Sequence, residues 1–402
     1  MNTPDLLLQN VRPFGGPLDG EACDVLVQQG RIAAIGPALT APQGAERIAG
    51  QGQLLLPGLV EAHTHLDKTL WNLPWYRNEV GNQLIHRIEN ERAYRAQGGH
   101  DSAAQSLALA REFLAQGTTR IRSHADVDTE IGLRHVEGVL QTREAMAPWQ
   151  EIQIVAFPQS GLLQRPGTAQ LLDEALALGA DVLGGLDPCA IDEDPVRSLD
   201  VLFEIAERHD KPLDIHLHES GDMGAFSLKL ILDRVEAHGL QGRVAISHGF
   251  CLGDLAAPAR DALLARMARL GVTLITSAPP SRSVPPLQAC LAAGVRVAGG
   301  NDGIRDTWSP YGQPDMLERA MFIGLRNNLR RDDEIEQALH CVTQAGAEVC
   351  GFGDYGLAPG CRADLVLLPA QCAAHAVCAR PPRSLVVAGG RIAARDGKLL
   401  AA

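Results

Sequence analysis

Leu54-Leu-Leu-Pro-Gly-Leu-Val-Glu-Ala-His63-Thr-His65-Leu-Asp-Lys68 is an apolar run that ends in two histidines one residue apart. Alternate residues of a β-strand share a face. His63 and His65 therefore project side by side from the end of a buried strand. Two imidazoles on one rigid edge make half of a metal site; the plainer reading is two polar residues leaving a strand for a loop.

Beyond this stretch, short apolar strands alternate with amphipathic helices, which argues for a parallel sheet with crossover helices. The pattern predicts strands over 58–65, 119–125, 152–159, 182–187, 213–218, 244–248, 272–277 and 295–302. Helices are expected over 101–116, 168–178, 198–208, 225–238 and 258–270. Eight such units make a (β/α)8 TIM barrel. The two ends of the chain read differently. Leu6-Leu-Leu-Gln-Asn-Val, Asp24-Val-Leu-Val and Arg31-Ile-Ala-Ala-Ile are short strands, as are Ala363-Asp-Leu-Val-Leu-Leu, Ser384-Leu-Val-Val-Ala and Gly390-Arg-Ile-Ala-Ala. Glycines punctuate them. The expected fold is thus α/β: a catalytic barrel over 57–354 and a small β-sandwich domain built from 1–56 and 355–402.

The totals narrow the function. A chain of 402 residues suits one large barrel with a smaller domain. The formal net charge of −12 argues against a nucleic-acid binder, since phosphate contacts need clustered Lys and Arg. No apolar run is long enough for a membrane span, and Met1-Asn-Thr-Pro-Asp has neither the basic nor the apolar region of a secretory signal. The nine scattered cysteines form no CxxC pair and read as reduced thiols. These features point to a cytoplasmic enzyme for a small molecule, with self-association into a homo-oligomer as a further expectation.

Active sites of such barrels lie at the C-terminal strand ends. Strand one ends in His63-Thr-His65, strand five reads Leu213-Asp-Ile-His216-Leu-His218-Glu219, strand six ends Ile246-Ser-His248, and strand eight ends Gly300-Asn-Asp302. Their convergence on one mouth argues for a metal centre. Three neutral imidazoles and a carboxylate suit one divalent ion, Zn or Fe, with room for a water whose pKa the ion lowers. Asp302 can bind the metal or take that water's proton. Glu219, three residues past His216, can carry a proton onto a substrate nitrogen. His248 can orient the resulting hydroxide. His124, in the second strand, fits a ligand or a supporting role, and His218 competes with His216 as a ligand.

These residues resemble the amidohydrolase superfamily and, within it, cytosine deaminase and its relatives. His63-Thr-His65-Leu-Asp is similar to that group's HxHLD. Gln153-Ile-Val-Ala-Phe-Pro-Gln159 resembles its third strand, and Asn301-Asp302-Gly-Ile-Arg-Asp-Thr-Trp308 its eighth. The resemblance implies a metal held by His63, His65, His216 and Asp302, a proton-shuttling Glu219, and Gln159 and Trp308 binding a flat, amide-bearing ring. The fourth strand, Asp181-Val-Leu-Gly-Gly-Leu-Asp187, lacks the lysine that two-metal members use, which implies a single ion.

Three departures bear on substrate. Lys68 stands near the mouth, Asp187 ends the fourth strand, and His218 precedes Glu219 where the group has an acidic residue. The expected activity is hydrolysis of an exocyclic C–N bond in cytosine, isocytosine or an amino-triazine through metal-bound hydroxide, with Lys68 at the substrate. The alternative is a cyclic amide or imide hydrolase that opens the ring.

Overall fold

The computed structural model describes residues 4–15, 19–81 and 83–400. Near the N-terminus lie β1 (Leu6–Pro13), β2 (Cys23–Gln28), β3 (Arg31–Gly36) and β4 (Glu46–Pro57). The barrel strands are β5 (Leu59–Thr64), β6 (Thr118–Asp126), β7 (Glu151–Phe157), β8 (Val182–Leu186), β9 (Leu213–Leu217), β10 (Val244–His248), β11 (Thr273–Thr276) and β12 (Val297–Gly299). β13 (Leu365–Leu368), β14 (Leu385–Ala388), β15 (Arg391–Arg395) and β16 (Lys398–Leu399) complete the set.

The barrel strands pair in chain order and all in parallel. Closure comes from a parallel bridge between Thr64 and Asp302. There the Asp302 amide donates to the His63 carbonyl at 2.8 Å. Such strands are covered on both faces, so β6 is buried along its whole length. Its period-two pattern sorts the faces: Ile121 and Ala125 join the apolar core, while Arg122, His124 and Asp126 alternate with them.

The strands of both termini form one separate eight-stranded sheet, in the order β16-β15-β14-β13-β4-β1-β2-β3. It curls so that Gly30, at the β2–β3 turn, accepts the Ala363 amide just before β13 at 2.9 Å. One face encloses a small core including Leu6, Val25, Ile32, Leu365 and Val387. The other shares the barrel core through Leu54, Leu56, Val366 and Val386, with Leu109 and Phe113 of the helix Ser102–Ala115. No helix among the described residues is long and apolar enough to cross a membrane.

Two expected strands run short. β7 stops at Phe157, so Gln159 lies just beyond it. β12 stops at Gly299 because Gly300 packs against His63 and Asp302 takes a left-handed φ of 66°. Helices Leu84–Ala96, Arg134–Met146, Met316–Arg326 and Asp332–Cys341 lie outside the helix ranges named from the sequence.

Candidate metal centre and active site

Five side chains converge where the barrel closes. His63 Nε2 is 3.7 Å and His65 Nε2 3.4 Å from Asp302 Oδ1, and His248 Nε2 is 3.9 Å from Oδ2. His63, His216 and His248 form one group whose ligand atoms lie within 4.8 Å of one another, and His63, His65 and Asp302 form another. His216 is positioned by Phe157, whose ring stacks on it at 4.0 Å. His124 is fully buried with its ring centroid 4.1 Å from that of His63.

The donor set suits a cation. His63 Nε2 and both ring nitrogens of His216 and His248 are buried without a hydrogen-bond partner. Orphaned polar atoms at this density are costly unless something else satisfies them. Burial and neighbouring imidazoles hold His216 and His248 well below the ordinary histidine pKa, and burial with Lys68 lowers His65 to about 4. Neutral imidazoles keep the lone pair a metal needs. Burial works to raise the Asp302 carboxyl, yet His63 and His65 hold it well below the usual range. A further group, His65 with Asp67 and Asp126, has Lys68 and Arg95 among it already: Lys68 Nζ is 3.4 Å from Asp126, and Arg95 also pairs with Asp126.

Supporting contacts fix these rings. His63 Nδ1 meets Ser247 Oγ at 2.8 Å, Ser247 donates to Asp214 at 2.6 Å, and Arg122 donates to the other Asp214 oxygen at 3.0 Å. The buried Glu61 accepts the backbone amides of His63 and Asn301, each at 3.0 Å. Three strand ends bend through left-handed non-glycine residues, Asp187 (φ 26°), His248 (φ 71°) and Asp302 (φ 66°). Such strain concentrates at functional sites. Ser247, Asp214 and Glu61 were not singled out from the sequence. Asp214, two residues from His216 on the same strand face, carried the one legible signal.

The two proton-carrier candidates sit differently. Glu219 Oε1 accepts the amides of Cys189 and Ala190, both at 2.8 Å, and Oε2 accepts the Ser227 hydroxyl. Burial raises its pKa against these donors. His218 Nδ1 donates to Asp187 Oδ2 at 2.7 Å, and the His218 ring stacks on His248 at 4.4 Å. Burial opposes its charge, but Asp187 outweighs burial and raises its pKa.

Lys68, Gln159 and Trp308 come together. Lys68 Nζ is 2.5 Å from Gln159 Oε1 and 5.3 Å from the centre of the Trp308 ring. Lys68 is buried, with Nζ 3.4 Å from Asp126 and 3.6 Å from Glu91. Burial disfavours the ammonium, yet Asp126, Glu91 and Asp67 outweigh it and raise the pKa.

A model of the amidohydrolase family matches residues 47–394. A solved structure of N-isopropylammelide isopropylaminohydrolase from Burkholderia multivorans ATCC 17616 has a TM-score of 0.95 at 62% identity and covers 99% of this chain and 100% of that one. N-isopropylammelide isopropyl amidohydrolase of Pseudomonas sp. (strain ADP) is 30% identical over 371 residues, 89% of this chain and 90% of its own length. 5-Methylcytosine deaminase from Klebsiella pneumoniae, solved with 5-fluorocytosine, has a TM-score of 0.85 at 25% identity over 97% of each chain.

Proposed function

The chain belongs to the amidohydrolase family, and from that premise we propose that it is a metal-dependent aminohydrolase. It cleaves an exocyclic C–N bond of a small nitrogen heterocycle and leaves the ring intact. An N-alkylammelide is the first substrate to test, because the relatives at 62% and 30% identity are described as acting on N-isopropylammelide. The observation that carries the reading is the set of buried, partnerless imidazole nitrogens gathered beside Asp302.

His63, His65, His216 and Asp302 would hold one divalent ion, zinc or iron. Bound there, it would supply a water acidified enough to serve as nucleophile near neutral pH. The protein's own groups do the rest. Asp302 would take the proton of the attacking water, and His248, with Nε2 3.9 Å from Asp302 Oδ2, would orient that water. Gln159, Lys68 and Trp308 hold the ring flat against the mouth.

The leaving nitrogen needs a proton, and Glu219 is the carrier that its spacing from His216 suggests. The contacts favour a second reading, His218 backed by Asp187. The stack of His218 on His248 places it beside the centre, whereas both Glu219 oxygens are engaged by Cys189, Ala190 and Ser227.

The test is product analysis with zinc- or iron-loaded enzyme on N-isopropylammelide, cytosine and isocytosine. Release of free amine or ammonia with the ring intact is expected. An acyclic acid as product would establish the ring-opening alternative, and silence across the panel would end the aminohydrolase reading. Glu219→Gln and His218→Asn, compared at equal metal content, separate the carriers. The true one loses at least about a hundredfold in kcat, the usual worth of a positioned acid.

A further inference from the structure

We infer that Lys68 sets substrate specificity by fixing which way round Gln159 presents its amide, so that the ring edge bound there must carry hydrogen-bond acceptors. This rests on the proposed hydrolysis of a small heterocycle and sharpens the class of that substrate. The contact between Lys68 Nζ and Gln159 Oε1 is 2.5 Å. An ammonium has three donors and no acceptor, so only the carboxamide oxygen can face it. The reversed amide would set an NH2 group against an NH3+ group. Gln159 is buried, and its Nε2 makes no hydrogen bond among the described residues. Its two N–H groups are therefore what Gln159 can offer to a ligand. The second lone pair of Oε1 lies beside the ammonium, whose charge repels an approaching N–H donor.

Lys68 is not free to swing aside. Asp126 holds Nζ at 3.4 Å and Glu91 at 3.6 Å. Arg95 in turn ties Glu91, at 3.1 Å, to Asp126, so the helix Leu84–Ala96 clamps the lysine from above the barrel strand. The Trp308 ring lies next to the same ammonium. A planar ring resting there meets donors and a positive charge along one edge. The complementary edge has carbonyl oxygens, or a deprotonated ring nitrogen between carbonyls, as in an oxo-substituted triazine. Uracil, whose carbonyls are flanked by N–H or C–H groups, presents no edge of adjacent acceptors and is a poorer match, because its N–H donors find no open acceptor.

Calorimetric binding of cyanuric acid and of uracil to the metal-loaded enzyme tests this without requiring turnover. The native chain is expected to bind cyanurate at least tenfold more tightly than uracil. Gln159→Glu keeps a partner for Lys68 and replaces the NH2 group by an acceptor; it should weaken cyanurate at least tenfold and leave uracil unchanged or tighter. Lys68→Met, which releases the amide, should erase the preference. Since that change strips a cation from buried carboxylates, Lys68→Met with Glu91→Gln serves if the single variant does not fold. Equal affinity of the native chain for the two rings, binding of neither, or an unaltered ratio in Gln159→Glu would overturn the inference. Amine release from N-isopropylammelide alongside equal affinities would uphold the aminohydrolase and remove only this specificity device.

Discussion

Asp306 shows how a single buried residue makes the mouth of this barrel sensitive to pH. Its Oδ1 accepts the amides of Trp308 and Ser309, both at 2.8 Å, and so shapes the turn that carries Trp308. Burial pushes its carboxyl up to about 7, with Lys68 opposing and Glu91 adding to the rise. In the unfolded chain the same group titrates at roughly 3.9. Between those values the folded state holds a proton that the unfolded state has released. Stability from this group is therefore complete at low pH and is lost as pH rises through about 7. Asp306→Asn keeps an acceptor for both amides and removes the titration. Relative to the native chain, it should gain about 2–3 kcal/mol on going from pH 5 to pH 8, at 1.36 kcal/mol per unit. Urea unfolding at the two pH values measures this, and an identical difference at both would remove Asp306 as the titrating group. Residues of this kind are hard to read from a sequence. His63, His65, His216, His248 and Asp302 announce themselves because polar groups at successive strand ends are unusual. Ser247 and Glu61 do not, because their roles depend on partners far away, as with the sequence separation of 184 between Ser247 and His63. Lys68 was legible as a departure, but the contacts that give it meaning come from Asp126, Gln159 and the helix bearing Glu91.

At the scale of elements, the weak seam is where β12 meets β5, since the regular ladder ends and one bridge closes the barrel. Gly300 sits on that seam. A Cβ there would lie 2.5 Å from His63 Cβ, 2.6 Å from the His63 carbonyl oxygen and 2.7 Å from its amide nitrogen. Gly300→Ala must push the strands apart or turn His63, so it should cost at least about 2 kcal/mol and reduce bound metal. Gly324 is the matched control. It lies inside the helix Met316–Arg326, and its added Cβ meets nothing within 4 Å. Gly324→Ala should stabilise by about 0.5–1 kcal/mol through helix propensity, with metal content unchanged. Thermal unfolding with metal analysis of the two variants checks both signs together; a Gly300→Ala protein with native stability and full metal would show that the seam is slack. The same seam explains how far the elements were legible. The buried barrel strands read well because apolar runs bounded by polar ends have few other fates, and helix Thr168–Leu178 falls where its periodicity placed it. The strand predicted over 295–302 was too long because a left-handed Asp302 and a crowded Gly300 are tertiary facts. The helix Leu84–Ala96 escaped because its sequence, Leu84-Ile-His-Arg-Ile-Glu-Asn-Glu-Arg-Ala-Tyr-Arg-Ala, is mostly polar and turns its buried face toward charges, Glu91 being one of its buried residues.

Across the whole molecule, one buried arginine links the terminal sheet to the candidate metal centre. Arg383, just ahead of β14 and almost wholly buried, pairs through both terminal nitrogens with Asp315 and donates from Nε to the Gln116 carbonyl at 3.1 Å. Asp315 also caps the helix Met316–Arg326 by accepting the Leu317 amide at 2.9 Å. From that helix Arg319 reaches Asn301 Oδ1 at 3.1 Å and the Ser277 carbonyl, next to Asp302 and the end of β11. The chain of contacts thus runs from the terminal sheet, through a helix cap, to the loop that presents Asp302. Removing one partner of a buried ion pair strands the other, at about 3 kcal/mol or more. Arg383→Met should therefore lower the stability of the entire chain by about that amount. Because the sheet and the barrel share one core through Leu56, Val366 and Phe113, sheet and barrel should still unfold in a single transition. Metal release should move down in temperature in step with that transition, while kcat well below it stays within about twofold of native, since Arg383 touches no group at the mouth. Circular dichroism and a metal-release dye followed on the same sample provide the check. Two separate transitions, or metal release unmoved while the sheet melts, would mean that the terminal sheet is an appendage and that the loop of Asp302 is held by the barrel alone.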